Sequence, residues 1–397
     1  MKLTGIIRGA FIILIVFACS NQDKSDLSEN PDVAKGEKKS VQIVEQEKQI
    51  IIDSSITSVL NFISGNLDLN VFEDSTIYKT YQEWEKSNSK KFDNMKTNRL
   101  EKIGDWNEKN IATLARDSSA FTFYPLSGGD FIHMSYLFPN ATDYLMLALE
   151  PIGNVPSLND KRNGSDINYL SQVDKVLRNI YNQSYFVTAN MDEDMRKNGI
   201  VDGVLPLILW GMGKTDHSIV SLRYFDIDSS GQKKEVQNLK NPTGVRIQFV
   251  KNGSTKIKSL EYLSVNIMNS SLLNKPETLK YLEKNVPNNC NSFIKSASYV
   301  LHYSTFSRMR DFIISKTDYH LQDDTGIPYR FFETSHQASL FGEYVTPIED
   351  FNENLFQSDL DIAYSDSLKY KGKLPFSMGY HWWGSKKQNQ MIFSRMK

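Results

Sequence analysis

A short turn near residue 128 carries the residue types that most directly indicate ligand chemistry. It reads PLSGGD at 125–130, follows a short apolar stretch and precedes an apolar helical pattern. Its two glycines permit positive φ and close approach of a ligand to the backbone, and the free N–H groups of a following helix attract an anion. Glu150 ends the next apolar segment, where a strand-end acid can hold a ribose hydroxyl. The predicted ligand-binding residues are Ser127, Gly128, Gly129, Asp130 and Glu150. The alternative is a tight strand-to-helix turn that binds nothing.

A second polar turn lies in HLQDDTGIPYR at 320–330. Adjacent carboxylates in a turn point in different directions, so one of Asp323 and Asp324 can cap backbone N–H groups while the other faces a cleft. We predict that one of them is a general base or binds a cation with Glu150, and that Arg330 holds an anionic group. The alternative is an Asx turn with a structural Asp–Arg pair.

The histidines and cysteines add little further chemistry. None of the six histidines forms an H-x-x-x-H or H-E-x-x-H pair, so a zinc hydrolase is disfavoured and no metal site is predicted. His302 lies near Ser298 and Ser304 and is a third catalytic candidate, although no G-x-S-x-G motif accompanies it. Cys290 has no C-x-x-C partner and is predicted to be a lone buried thiol.

The elements that must position these residues alternate between strand and helix patterns. A strand at 120–124, a helix at 131–138 and the continuous apolar strand YLMLAL at 144–149 predict a β-α-β unit. Later strand patterns include 185–188, 219–227, 244–250, 259–266, 291–302 and 319–322, and helix patterns cover 170–183, 203–213, 276–285 and 306–314. The tail at 338–383, rich in Gly, Pro and aromatic residues, is predicted to lie over the sheet edge.

We therefore predict an α/β fold with a mostly parallel or mixed sheet flanked by helices, a Rossmann-like three-layer arrangement. Residues 50–116 form a helical N-terminal extension, and 117–397 form the α/β domain with its aromatic-rich tail. In a parallel sheet the two polar turns share one rim, since the carboxyl ends of the strands lie at one edge. The predicted ligand site is the rim formed by 126–130, 150–153 and 323–330.

The glycine turn and the following strand-end acid loosely resemble the first two motifs of class I methyltransferases. The resemblance covers about thirty residues, and the turn lacks the G-x-G spacing of that family. It implies that Ser127, Gly128, Gly129, Asp130 and Glu150 would be the contacts to S-adenosylmethionine. The first residues of the chain, described next, predict export from the cytoplasm, and an exported domain has no ready supply of that compound. The sequence alone therefore leaves the cofactor unknown.

The first residues have the layout of an export signal. Lys2 and Arg8 precede an apolar run at 10–18, which is too short to span a bilayer as a helix. The stretch VFAC at 16–19 resembles the lipobox of bacterial lipoproteins, in which the cysteine becomes the acylated first residue of the mature chain. The resemblance implies that 1–18 is a signal peptide, that Cys19 carries lipid such as palmitate, and that the protein is attached to the cell envelope outside the cytoplasm. The alternative is a soluble secreted protein that is cut nearby.

Composition limits the remaining function classes. The 397 residues carry 46 basic and 47 acidic side chains, so no nucleic-acid partner is predicted. Residues 19–49 are polar with mixed charge and are predicted to be a flexible tether. Removing 1–18 leaves 44 basic residues against 47 acidic ones, and this net charge offers no overall attraction for anionic lipid, so acylation would supply the attachment.

Two functions therefore stay open for the folded part. It is a ligand-binding or structural module, or it is a transferase or hydrolase that uses the acidic rim. The aromatic residues Tyr380, His381, Trp382 and Trp383 would stack on a sugar or form a buried clamp.

Overall fold

The computed structural model describes residues 50–67, 71–111, 120–159, 161–186, 201–237, 241–345, 347, 351, 353–380 and 388–396. The folded unit comprises Gln49–Lys397. The predicted signal peptide, the lipidation site Cys19 and the predicted tether lie outside the described residues, as do the aromatic residues His381, Trp382 and Trp383.

Within the described residues, eleven strands form one mixed sheet. They are β1 (Phe121–Pro125), β2 (Asp143–Ala148), β3 (His217–Ile227), β4 (Lys233–Glu235), β5 (Gly244–Lys251), β6 (Ile257–Ser264), β7 (Cys290–Ile294), β8 (Thr317–Gln322), β9 (His336–Gly342), β10 (Tyr370–Gly372) and β11 (Asn389–Arg395). Their order is β10-β9-β11-β8-β7-β1-β2-β6-β5-β3-β4. The five central strands from β8 to β6 are parallel, whereas β11 on one side and β5 and β3 on the other pair antiparallel.

Ten α-helices accompany the described part of the sheet. They are α1 (Ser54–Ser64), α2 (Ser75–Met95), α3 (Glu101–Asn110), α4 (Phe131–Leu137), α5 (Gly164–Gln183), α6 (Leu205–Lys214), α7 (Asn269–Asn274), α8 (Pro276–Asn285), α9 (Ser307–Lys316) and α10 (Ser358–Tyr364), and a π-helical segment Lys96–Leu100 joins α2 to α3. Local sequence explains several ends. Asp53 and Asp74 cap α1 and α2, and Asn163 with Asp166 forms a capping box at α5.

The buried apolar side chains form two clusters. Tyr124 of β1 and Tyr144 of β2 belong to the first cluster, and their chain neighbours Phe123 and Leu145 belong to the second. Helices α1 to α6 contribute side chains to the first cluster and α7 to α10 to the second. Successive residues of a central strand therefore contact different clusters, as expected for a strand buried on both sides.

The predicted α/β class and the β-α-β unit are confirmed, since β1 and β2 are parallel and α4 connects them. Three local predictions need correction. The strand predicted at 291–302 is shorter and ends at Ile294. The tail at 338–383, predicted to lie over the sheet edge, includes most of β9 and all of β10 and α10, so part of it belongs to the sheet itself. The predicted strand at 185–188 begins with a bend at Tyr185 and otherwise lies outside the described residues. Strand β11 was not predicted from sequence. The division of the chain at residue 116 stays a prediction.

Candidate functional site

The loops that follow β1 and β7 separate at the middle of the sheet. From β1 the chain passes through α4 to β2, and from β7 it passes through α9 to β8. Because the strand order is β8-β7-β1-β2, these two connections lead to opposite sides of the β7–β1 pair. In open α/β sheets such a switch point opens a crevice at the carboxyl ends of the strands, where ligands bind. Two titratable residues, Asp130 and Lys295, follow these two strands.

Asp130 and Lys295 form a buried ion pair. The Lys295 Nζ lies 2.6 Å from Asp130 Oδ2, and each side chain is about 1% exposed. His133 Nδ1 lies 2.8 Å from Asp130 Oδ1, and the Tyr124 hydroxyl donates to Asp130 Oδ2 over 3.2 Å. The Asp130 carboxylate also caps α4 by accepting from the His133 N–H. One carboxylate therefore holds a strand, a helix and a loop together.

Burial and charge set the protonation of this cluster. Burial alone would raise the pKa of Asp130, but His133 and Lys295 hold it well below the usual value. Burial lowers the pKa of His133 to about 4 and also lowers that of Lys295. At neutral pH Asp130 is thus ionised and the His133 imidazole is neutral. Since an ionised carboxylate only accepts, His133 donates through Nδ1, and its Nε2 has no hydrogen-bond partner among the described residues.

The cations of this region also cap the carboxyl end of α5. Lys295 Nζ donates to the Ser184 carbonyl, and Arg99 donates to the carbonyls of Ile180 and Tyr181 over 3.1 and 3.4 Å. Unpaired carbonyls make the end of a helix electronegative, so buried cations there stabilise it. Burial lowers the pKa of Arg99 to about 10. Lys295 therefore has a structural role in addition to any chemical one.

The two adjacent carboxylates of the second turn have separate partners. Asp323 accepts from the backbone N–H of Ser296 over 2.9 Å and from the backbone N–H and hydroxyl of Thr325. Asp324 accepts from the Tyr299 hydroxyl over 2.8 Å and from Asn389 over 3.0 Å. Burial, and then the charge of Asp324, raise the pKa of Asp323 to about 6, and burial also raises that of Asp324.

Asp323 also lies close enough to the Asp130–Lys295 pair to affect the pKa values of its neighbours. It raises the pKa of Lys295 against the larger effect of burial, and it adds to the raised pKa of the Tyr124 hydroxyl. The structure thus brings together Asp130 and Asp323, which the sequence assigned to one rim.

The other predicted site residues lie in different surroundings. Arg330 is exposed, with its guanidinium 4.9 Å from the centre of the Phe331 ring. Glu150 is buried, and its backbone carbonyl accepts from the Tyr262 hydroxyl. The His302 ring packs edge-on against Tyr299 at 5.2 Å, and burial lowers its pKa to about 4.

The glycine turn is covered by apolar side chains. Gly128 has φ +52°, and a Cβ there would lie 3.4 Å from the Phe186 ring. A Cβ on Gly129 would lie 3.3 Å from both Val204 and Leu207. Ser127 donates to the Leu147 carbonyl and is buried. The turn thus has a packing role, and the described residues do not fit S-adenosylmethionine, which would need this backbone uncovered. Other ligand contacts of the turn stay predictions.

A buried chain of polar groups crosses β7 and β8. Ser292 Oγ lies 2.5 Å from His320 Nδ1, and His320 Nε2 lies 2.7 Å from Gln322 Oε1. The order of groups resembles a nucleophile, base and orienting residue, but all three are fully buried and His320 stacks on Phe332. Burial lowers the pKa of His320 to about 3. This chain satisfies interior polar groups and is closed to substrates.

An open cleft of about 800 Å³ lies at the ends of β2 and β6 and the start of β5. Its lining includes the loop 151–154 and the ends of neighbouring elements. The polar side chains that line it include Asn154, Asp202, Thr243, Ser264, Asn266 and Glu277.

The wall of this cleft is fixed by backbone contacts. The N–H groups of Val204 and Leu205 donate to the carbonyls of Pro151 and Ile152 over 3.0 and 2.9 Å. Gly153 has φ +77° and lies so close to Gly203 that a Cβ on either would overlap the other's backbone. The loop after β2 and the start of α6 therefore form one unit.

Sequence reasoning missed Lys295, His133 and Arg99, and of the cleft lining it predicted only 151–153. Lys295 directly follows the apolar end of β7, and a charged residue at the carboxyl end of a buried strand is a usable signal. His133 lies three residues after Asp130, the spacing of one helix face. Arg99 has no such signal, since its partners come from distant segments.

The fold and the site define an α/β protein with a mixed sheet, a buried ionic cluster at the switch point and an open polar cleft beside it. No family model matches the chain, and no curated protein matches it. Among the described residues, no helix combines the length and the apolar character needed to span a membrane. In the same residues, no group of three His, Cys, Asp or Glu side chains is placed to hold a metal ion.

Proposed function

We propose that this chain is a lipid-anchored protein of the bacterial cell envelope, with an extracytoplasmic α/β domain that binds a small polar molecule in the cleft beyond β2 and β6. The domain is a Rossmann-like three-layer fold with a helical N-terminal extension. Two observations support the fold assignment: the separate apolar clusters with α1 to α6 and α7 to α10, and the switch point between β1 and β7. The lipobox resemblance supports the anchor.

The cleft is the observation that carries the binding function. Its 800 Å³ is within the range of small-molecule sites, and it includes the predicted rim at 151–153. Amide and hydroxyl groups both donate and accept hydrogen bonds, and the charged lining combines Asp202 and Glu277 with Lys275. A lining of this kind suits a ligand with several hydroxyl or amide groups better than a strongly charged one.

The ligand proposal is tested by thermal unfolding with a library of small polyhydroxylated and amide compounds. A ligand at 100 times its dissociation constant stabilises by about 2.7 kcal/mol. The unfolding entropy is roughly 2.1 cal/mol/K per residue, so a unit of about 350 residues gains about 4 °C.

A blocking variant separates binding in the cleft from binding elsewhere. Asn266→Trp fills the cleft and should abolish the shift, whereas Asn94→Trp on the exposed side of α2 should preserve it. No shift with any compound, or equal shifts in both variants, would refute the cleft as the site.

The anchor is tested by fractionating cells that express the chain. Cys19→Ala should release the protein from membranes and block labelling by fatty acid. A soluble secreted protein would instead be found outside the membrane fraction with either residue at position 19. Unchanged membrane fractionation of Cys19→Ala would contradict acylation as the means of attachment.

An enzyme of transferase or hydrolase type is the second candidate, because the pKa of Asp323 is raised to about 6, close to that of a base working near neutral pH. Asp323 does not line the cleft, so a substrate would have to reach the second turn itself, and Asp323→Asn should abolish turnover there while ligand binding in the cleft persists. If that variant instead fails to fold, because the hydrogen bonds that Asp323 accepts from Ser296 and Thr325 are weakened, Asp323 has a structural role.

A further inference from the structure

The hairpin that joins β5 to β6 is uniformly basic at its tip. Its sequence KNGSTKIK at 251–258 contains three lysines and no acid, and residues 251–257 are exposed. Within the described residues, neither Lys251 nor Lys256 forms an ion pair. Lys258 donates to the Pro139 carbonyl over 2.5 Å and lies 5.7 Å from the centre of the Tyr144 ring. Its pKa falls to about 8, chiefly through burial and then through the neighbouring charges of Lys256 and Lys251.

Three acidic residues lie near this hairpin, one beside its turn and two at its base. Asp216 accepts from Asn252 Nδ2 over 2.7 Å, and Asp53 caps α1 through the Ile56 N–H. Asp143 begins β2, beside Ser259 of β6. The hairpin itself carries only positive charge, with Asp216 beside its turn, although the whole chain has a slight negative excess.

The chain enters the folded unit at the same edge of the sheet. The Asp53 N–H donates to the Ile219 carbonyl of β3 over 2.8 Å, and Ile219 pairs with Phe249 of β5. Next along β5, Val250 pairs with Ile257 of β6. Neighbouring strands are about 4.8 Å apart, so the entry point and the hairpin lie within roughly 15 Å of each other.

Apolar side chains accompany the lysines at this edge. Ile51 is 81% exposed, Ile52 is 36% exposed and Ile257 is 41% exposed. Exposed isoleucines next to lysines suit the boundary between lipid headgroups and acyl chains, where apolar burial and charge attraction act together.

We propose that the hairpin 251–258, with Ile51 and Ile52, docks on anionic lipid headgroups of the bilayer that holds the anchor. The inference rests on the proposed lipid anchor, because residue 19 precedes the entry point by only 31 residues. The tether predicted from composition would, at that length, span roughly 30 Å on average and keep this face near the surface.

Docking would fix the orientation of the ligand site. The cleft lies at the other end of the same strands, where Ser264 and Thr243 line it. Seven residues separate Ile257 from Ser264, about 23 Å along a strand. With the hairpin on the membrane, the cleft opens away from the bilayer.

The test uses the mature chain from residue 19, made without acyl groups, and vesicles of phosphatidylcholine with or without 30% phosphatidylglycerol. Binding should require phosphatidylglycerol and should be lost at high salt, since screening shortens the range of attraction. Each lysine near an anionic surface contributes about fivefold, so Lys251→Gln with Lys256→Gln should weaken binding about 25-fold.

The matched control is Lys86→Gln with Lys90→Gln, which removes the same charge from exposed positions of α2. It should bind like the unmodified chain. Absence of binding by the unmodified chain, equal binding to neutral vesicles, or equal losses in both double variants would each overturn the proposal. Because the chain lacks acyl groups, this result is independent of the Cys19→Ala fractionation.

A fluorescent label tests the orientation. In a chain with Cys19→Ser, an environment-sensitive dye is attached at Ser254→Cys in the hairpin or at Asn274→Cys beside the cleft. Phosphatidylglycerol vesicles should shift the emission of the first label to the blue and leave the second unchanged. A shift at Asn274→Cys, or at neither position, would contradict the orientation.

Discussion

Removal of the buried cation is expected to destabilise the fold far more than removal of an exposed one. Lys295→Met leaves the Asp130 carboxylate buried with only neutral donors, His133 and Tyr124, and breaking a buried pair costs about 3–5 kcal/mol. With an unfolding entropy of about 0.7 kcal/mol/K for the folded unit, Tm should fall by about 5 °C.

Lys91→Met is the matched control. The Lys91 Nζ lies 2.7 Å from Asp174, nearly the same separation, but the two side chains are 42% and 27% exposed. Solvent screening limits such a pair to less than about 1 kcal/mol, so Tm should change by about 1 °C. Calorimetry at pH 7 measures both variants.

A double variant tests whether the pair acts as a unit. Asp130→Asn with Lys295→Met removes both charges, so its cost should be less than the sum of the single costs. Additive costs, or equal shifts for Lys295→Met and Lys91→Met, would refute the assignment of a coupled buried pair.

Three further measurements test other parts of the structure. His320 has a pKa of about 3 in the folded state against 6.5 in the unfolded chain, so its contribution to the free energy of unfolding is complete above pH 6.5 and is lost as pH falls towards 3. About 3 kcal/mol of stability should be lost by pH 4. Urea titrations of His320→Gln should therefore show a flatter dependence of stability on pH. Cys290 is buried with a pKa raised to about 12, so a thiol reagent at pH 8 should modify it only after unfolding, and fast modification of the native protein would contradict its burial. Gly153→Ala should destabilise the fold by about 1–3 kcal/mol more than Gly253→Ala. Both glycines have φ near +78°, but only at Gly153 would the added Cβ overlap neighbouring atoms. Equal costs in denaturant unfolding would exclude the close contact with Gly203.

The sequence predicted the centre of the fold better than its edges. The apolar run at 144–149 is a strand because it is buried on both sides, and this pattern is visible locally. Strand β11 is inserted between β8 and β9, and its pairing with β8 joins residues about seventy positions apart. Its short, mixed sequence near the end of the chain gives no local sign of such a partner.

The contrast between local and long-range signals also explains which residues of the candidate site could be predicted. Asp130 and Asp323 were predicted because strand ends in a parallel sheet meet at one edge, which topology alone implies. The partner of Asp130 is 165 residues away in Lys295, and that pairing depends on the order of strands rather than on spacing. Arg330, adjacent in sequence to the second turn, instead lies exposed over Phe331.

The loop after β7 indicates why two carboxylates are needed at the second turn. Ser296, Ser298 and Tyr299 all have φ between +51° and +56°, a left-handed conformation that costs non-glycine residues on the order of 1 kcal/mol each. Asp323 accepts from the Ser296 N–H and Asp324 from the Tyr299 hydroxyl, so the two acids hold both ends of this strained segment.

Strain of this kind persists only where surrounding contacts enforce it, and the segment begins at Lys295. The two acids therefore fix the loop that delivers Lys295 to Asp130 and to the end of α5. Because these carboxylates and Lys295 are buried and hydrogen-bonded to neighbouring groups, the middle of the carboxyl edge is closed in the described residues. The opening for a ligand is displaced to β2 and β6, where amide and hydroxyl side chains line open space.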